Sequence, residues 1–260
     1  MGNINKSIYG VILGVALSSH AFATDWQAKL YTLQDFVLPY EIYKPVVKQK
    51  VPLIIHLHGS GEAGTDNKAQ LYLGKNIGPD YFSSDAIQKI QKAYVLAPQT
   101  PKNIRWANTT LAPYDFKNTP STKSMSALLN LIDQLIKQNP MIDPNRIYMT
   151  GLSRGGQGVW NAALQRPDFF AAIVPIAGSA SVKDVGIINA LPIWAFHGDA
   201  DEVTKVEYTR ELIDALIRSG GSTNTIRYTE VQDGTHESSW KTAFQNEQLY
   251  HWMITHKKAL

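Results

Sequence analysis

The stretch Arg146-Ile147-Tyr148-Met149-Thr150-Gly151-Leu152-Ser153-Arg154-Gly155-Gly156 decides the reading of this chain. A short apolar strand runs straight into Gly-x-Ser-x-Gly, and a helical run from Gln157 to Gln165 follows. A chain that reverses from strand to helix within so few residues brings backbones too close for side chains, so glycines must flank Ser153. The strained turn lifts the serine hydroxyl out of the chain, the geometry of a nucleophile elbow. Gly-x-Ser-x-Gly alone is a weak pattern that also describes a glycine-rich turn with an incidental serine. The strand before it and the helix after it give it weight.

Outward from the elbow, strands and helices alternate. Val37 to Tyr43 reads as an edge strand, with Pro39 near its start where a missing donor is tolerated. Val51 to Leu57 is continuously apolar rather than alternating, as expected of a strand covered on both faces. Tyr94 to Ala97 is another buried strand, ended by Pro98. Met125, Leu128, Leu129, Ile132, Leu135 and Ile136 carry the spacing of an amphipathic helix that Asn139-Pro140 stops. Ala172 to Ile176 and Pro192 to Phe196 are further strands. A helix from about Thr204 to Arg218 ends at Gly220-Gly221, Thr225 to Val231 is a last strand, and Trp240 to His256 a last helix. This alternation predicts an α/β fold, a mostly parallel central sheet with helices on both faces, in a single domain over residues 24–260.

A serine hydroxyl is a poor nucleophile unless a base lies within hydrogen-bond reach and a third group orients that base. Among the seven histidines, His56 and His58 sit on or at the end of a strand, and His251 and His256 lie in the terminal helix. His197 ends a strand inside His-Gly-Asp-Ala-Asp, where a buried histidine fixing a loop is the better description. His236 follows the last strand in a turn, Asp233-Gly234-Thr235-His236, from which a side chain reaches the carboxyl ends of the strands. His236 is therefore the candidate base. The acid should come from the loop after Phe196, where Asp199 and Asp201 both qualify. Spacing leaves the two open, and Asp201 could instead cap the next helix. Negative charge developing on a carbonyl oxygen needs backbone donors: the amide of Arg154, and one from the turn His58-Gly59-Ser60-Gly61-Glu62, with Ser60 the expected donor.

With Pro52-Leu53-Ile54-Ile55-His56-Leu57-His58-Gly59-Ser60-Gly61-Glu62, Ala97-Pro98-Gln99, the elbow, Trp194-Ala195-Phe196-His197-Gly198-Asp199-Ala200-Asp201 and Gly234-Thr235-His236 in view, the chain resembles the alpha/beta-hydrolase esterases grouped as predicted peptidases. These are related to prolyl-oligopeptidase-type and feruloyl-esterase-type serine hydrolases. The resemblance runs from about Leu38 to the last helix. It implies that the second aspartate of His-Gly-x-x-Asp, Asp201, is the acid and that His236 is the base. It also implies hydrolysis of carboxylic esters, of feruloyl or acetyl type, through an acyl-enzyme without metal or cofactor. The alternatives are a serine peptidase of prolyl-oligopeptidase type and a non-catalytic binding protein on the same scaffold. One departure stands beside the nucleophile: where such chains often carry methionine, this one has Arg154, a cation that would favour carboxylate-bearing substrates.

Composition bounds the partners. The 260 residues are 44% hydrophobic, enough for one large core, and the net charge of +3 comes from mixed signs with no basic stripe, which argues against nucleic acid. Cysteine is absent, so stability must come from packing. Lys6, the apolar run Ile8 to Leu17 and Ser18-Ser19-His20-Ala21-Phe22-Ala23 have the form of a signal peptide over residues 1–23, cleaved after Ala23. That predicts a periplasmic or secreted protein with no stable membrane insertion afterwards. The connection from Gly178 to Leu191 is too short for a large lid, which suits a small or polymer-attached ester better than aggregated fat. The long segment Thr100 to Pro120 brings Trp106, Tyr114 and Phe116 near the expected cleft rim, with Trp106 and Tyr114 as candidate substrate contacts. Trp240 reads as core.

Overall fold

A computed structural model describes residues 26–72, 76–110 and 112–258. The expected signal peptide lies outside the described residues. The strands are β1 (Trp26–Leu33), β2 (Phe36–Tyr43), β3 (Val51–Leu57), β4 (Tyr94–Pro98), β5 (Ile142–Leu152), β6 (Ala172–Ile176), β7 (Ile193–Gly198) and β8 (Ile226–Val231). They form one sheet in the order β1-β2-β4-β3-β5-β6-β7-β8, antiparallel at β1/β2 and β2/β4 and parallel from β4 onward. The helices are α1 (Ala69–Tyr72), α2 (Gly78–Ser83), α3 (Asp85–Ile90), α4 (Lys123–Gln138), α5 (Arg154–Gln165), α6 (Val206–Arg218), α7 (His236–Gln245) and α8 (Gln248–Thr255). This is the alpha/beta-hydrolase fold.

The apolar runs of the central strands are sorted by the pleat. Leu53, Ile55 and Leu57, with Ile147, Met149 and Ile173, pack on one face against α4, α5 and α6 through Leu128, Val159, Trp160, Leu212 and Leu216. Ile54, Tyr148, Val174 and Phe196 point the other way and meet Phe82, Ile87, Trp240, Phe244 and Met253 of α2, α3, α7 and α8. Alternate residues of one strand thus feed two cores, which is why those strands read as unbroken apolar runs. Between β6 and β7 the chain makes only a turn of 3-10 helix at Val185–Ile188, so no large lid stands there.

Two expectations are corrected and one helix start is made definite. β2 is not an edge: β1 covers it through a two-residue turn in which Gln34 takes φ 54. The apolar residues of β1 switch face between Leu30 and Tyr31 and are exposed or half-buried, which hid that strand from the sequence. The terminal helix is two helices, because Asn246 ends the first one in an extended conformation, φ −77 and ψ 107, and its Oδ1 accepts from the Gln248 amide at 2.9 Å in the turn between them. The helix expected from Thr204 begins at Val206, the residues before it being held in a turn by Asp201.

β3 carries two fully buried histidines to its carboxyl end. His56 Nε2 lies 2.6 Å from Asn76 Oδ1, and His58 Nδ1 lies 2.6 Å from the Gly59 carbonyl while its Nε2 accepts from the Thr100 amide at 3.1 Å. Burial, opposed only in part by these bonds, pushes both down to about 4. A folded-state pKa below the unfolded value of 6.5 means each group's contribution is complete above 6.5 and lost as pH falls toward 4. Each is worth up to about 3 kcal/mol over that window. Urea melts between pH 7 and 4 should show stability declining steeply below pH 6.5; a flat curve to pH 4 would mean that both rings accept a proton in place.

Candidate active site

Ser153 ends the turn between β5 and α5 with φ 55 and ψ −119, a backbone conformation that costs a non-glycine residue about 1–3 kcal/mol. The turn is held on both sides. The Ser153 amide donates to the Ile176 carbonyl at 2.9 Å, and its own carbonyl accepts from the Gln157 amide at 3.0 Å. Gly155 is required because an added Cβ would overlap the Leu57 carbonyl oxygen at the end of β3. The elbow therefore packs directly on the strand that leads into the Gly59–Gly61 turn.

His236 is the first residue of α7, not part of a flexible turn. Thr235 caps that helix in a reciprocal box: its hydroxyl accepts from the Ser238 amide at 3.4 Å, and its amide donates to the Ser238 hydroxyl at 3.2 Å. The cap is stitched to the end of β7, since the Ala200 amide donates to the Gly234 carbonyl at 3.0 Å and the Gly198 amide to Ser239 Oγ at 2.9 Å. From this platform His236 Nε2 lies 2.9 Å from Ser153 Oγ and Nδ1 lies 2.6 Å from Asp201 Oδ2. Residues 83 and 35 positions apart in the chain pair into a hydrogen-bonded line, Ser153–His236–Asp201.

The two aspartates left open by spacing part here. Asp199 is exposed and accepts the Gly234 amide at 3.2 Å, well away from the imidazole line. Asp201 has a fully buried side chain whose oxygens divide the labour: Oδ1 accepts the amides of Val203 and Thr204 at 2.8 and 2.9 Å, and Oδ2 faces His236. Turn cap and histidine partner are thus one residue, and α6 takes no side-chain cap from it. Burial would raise the Asp201 pKa, but contacts from His197 and His236 and the Thr204 amide outweigh it and hold the carboxyl far below the usual range.

Gly59 comes so near that an added Cβ would stand 2.8 Å from Leu152 Cδ1 and 3.5 Å from Ser153 Cβ. This places the Ser60 turn over the serine. Among the described residues neither the Ser60 amide nor that of Arg154, the first residue of α5, has a protein acceptor. Both are free to donate to a ligand oxygen, as the first amides of a helix commonly are. His58, which sequence reasoning passed over, locks this turn through its bonds to Gly59 and Thr100; the continuous His-Gly-Ser-Gly spelling was the signal available.

A cavity of about 320 Å³ opens at Ser153, lined by the apolar Leu152, Val203 and Trp240, by the Gly59–Gly61 turn, and by Glu62, His236 and Glu237. Trp240 is both core and wall: it is 4% exposed, and its ring meets His236 edge-on at 5.1 Å. Trp106 and Tyr114 do not line the cavity. Trp106 is buried beneath the His58 turn, where its indole N–H finds an acceptor in the His58 carbonyl at 3.1 Å, and it packs against Gly158 of α5. Tyr114 packs on the same core, accepts a hydrogen bond from Asn161 at 2.9 Å, and is pushed up to about 12 by burial. The Arg154 guanidinium, lowered by burial and by Arg105, is likewise absent from the walls, while Glu62 and Glu237 are present, so the cavity itself gives no preference for acidic substrates.

The fold recurs in solved structures. A thermostable esterase superposes with a TM-score of 0.81 at 34% identity, over 90% of this chain and 63% of that one. Feruloyl esterase D of Neurospora crassa is 29% identical over 112 residues, 43% of this chain and 38% of that protein. Poly(3-hydroxyalkanoate) depolymerase C of Paucimonas lemoignei is 30% identical over 129 residues, 49% of this chain and 28% of the other. The aligned stretches span between 14% and 54% of the curated relatives' lengths. No helix among the described residues is long and apolar enough to cross a membrane. The phospholipase/carboxylesterase family pattern matches residues 40–250, most of the sheet and its helices, and the chain therefore belongs to that family of alpha/beta hydrolases.

Proposed function

We propose that this carboxylesterase-family hydrolase is an exported serine esterase working through an acyl-enzyme on Ser153. The observation that carries the reading is the hydrogen-bonded line from Ser153 through His236 to Asp201 beside a cavity large enough for a small acyl group. His236 Nε2 takes the hydroxyl proton as Ser153 Oγ attacks the ester carbonyl. Asp201 holds the Nδ1–H tautomer and offsets the positive charge that forms on the ring. The Ser60 and Arg154 amides stabilise the oxyanion, where such donors typically supply several kcal/mol in the transition state. His236 then protonates the leaving alcohol, and water activated by the same ring releases the acid. No metal or cofactor takes part in these steps.

Leu152, Val203 and Trp240 make an apolar wall around the carbonyl position, which suits an acyl group of acetyl to feruloyl size. The short connection between β6 and β7 carries no large lid, which supports a soluble or polymer-attached ester. Export rests on the apolar run and Ala-x-Ala site of residues 1–23.

Initial rates on p-nitrophenyl esters of increasing acyl length, methyl ferulate and a dipeptide anilide test the substrate class. Short-acyl or feruloyl turnover should dominate, and anilide cleavage alone would make the protein a peptidase instead. Ser153→Ala should lower kcat by about 10⁴-fold or more while the thermal midpoint stays within about 3 °C. Retained turnover in that variant would rule out the acyl-enzyme. Asp201→Asn should cost about 10³- to 10⁴-fold in kcat through the wrong histidine tautomer. Asp199→Asn should cost little, and the opposite ranking would reassign the acid.

A further inference from the structure

His197, at the end of β7, is fully buried and has the contacts of a loop-fixing histidine: Nε2 at 2.9 Å from the Thr204 carbonyl and Nδ1 at 2.7 Å from Thr209 Oγ1. It has one contact more. Nε2 also lies 3.1 Å from Asp201 Oδ2, the same oxygen that His236 Nδ1 approaches at 2.6 Å. The Thr204 carbonyl and an ionised carboxylate only accept, so Nε2 carries a proton shared between them. Thr209 can rotate to serve Nδ1 or the Gly178 carbonyl 3.3 Å away. A single carboxylate oxygen therefore faces two imidazole N–H groups, one open to the cavity and one sealed behind it.

We propose that His197 is a positioning residue for the ester chemistry, its shared Nε2–H pinning Asp201 Oδ2 and drawing off part of the charge with which Asp201 holds His236. This rests on the reading of Ser153, His236 and Asp201 as the reacting set. Being sealed from the cavity, His197 cannot touch substrate, so it acts on kcat and on the pH profile and leaves KM alone. The other charged groups around His236 are Glu62 across the cavity, Glu237 with its Lys241 partner at 2.9 Å, and Arg154 after the serine. Around His197 stands Glu230, its register partner on β8, which Arg210 holds at 2.7 Å. Glu230 loses a small part of its stabilisation in a variant at 197, but Arg210 holds it chiefly and keeps it ionised, and the others do not face His197, so a shift of the acid limb reports the Asp201 contact.

The sign follows from charge. With the donor gone, Asp201 presents more of its charge to His236, and the imidazolium becomes harder to deprotonate. In His197→Met the acid limb of kcat/KM should move up by about half a pH unit or more. Its kcat should fall about tenfold, a loss typical of a loosened reacting group. His197→Gln, whose amide N–H can stand where Nε2 stood, should restore both. A folded Met variant with an unmoved acid limb and unchanged kcat would reduce His197 to a loop support. Histidine ¹⁵N resonances of the unaltered protein provide a check that needs no variant: His197 Nε2 should be protonated and shift with the midpoint of the acid limb. A bare Nε2, or a signal flat across that limb, would overturn the proposal. Fluorophosphonate labelling separates this from the underlying reading, since an unlabelled wild type would sink the serine mechanism itself, whereas a labelled wild type with an indifferent Met variant would sink only the role of His197.

Discussion

The strained backbone at Ser153 is the constraint around which this fold is arranged. A side chain at φ 55 has no local reason to stay there; it is held by the Ile176 carbonyl on one side and the first turn of α5 on the other. Such close backbones are possible because residue 156 has no Cβ to overlap the Ile176 carbonyl and residue 155 has none to overlap that of Leu57. The strand order follows suit. β5 must lie between β3 and β6 for the elbow to touch Leu57 and Ile176 at once, and the sheet places it there.

The same economy governs the polar groups. Asp201 terminates a turn with one oxygen and meets imidazoles with the other, so the loop that delivers the carboxylate is braced by the carboxylate itself. His58 braces the Ser60 turn in a comparable way, using both ring nitrogens on backbone groups of two different segments. Trp106 lies under that turn and gives its indole N–H to the His58 carbonyl. A buried polar group without such partners would cost several kcal/mol, so each of these residues is committed to one geometry. Rigid placement of this kind lets weak individual hydrogen bonds hold reacting groups to fractions of an ångström.

Much of this was legible from the chain alone because it is local or periodic. Gly151 answers a clash with Gly155 within five residues, the apolar runs of β3 and β6 answer a two-sided core, and the spacing of Met125 to Ile136 answers one helix face. Signals failed where an element buries little of itself. β1 switches its apolar residues from one face to the other midway, and α7 and α8 were merged because the break is one extended asparagine, Asn246, rather than glycine or proline.

Sequence by itself determined the α/β fold, the candidate nucleophile and the candidate base, since strand, turn and helix signals act over a handful of residues. Local spacing left open which aspartate meets His236. Although the family resemblance implied Asp201, the contact itself is made by tertiary structure, because Asp199 and Asp201 are two residues apart in one loop and differ in the direction that loop imposes. Tertiary structure also decided that Trp106 is core while Trp240 is cavity wall, and that His197 touches Asp201. The physical reason is common to all three. A side chain's environment is set by what other segments bring to it, and those segments lie tens of residues away in a chain whose local pattern carries no record of them.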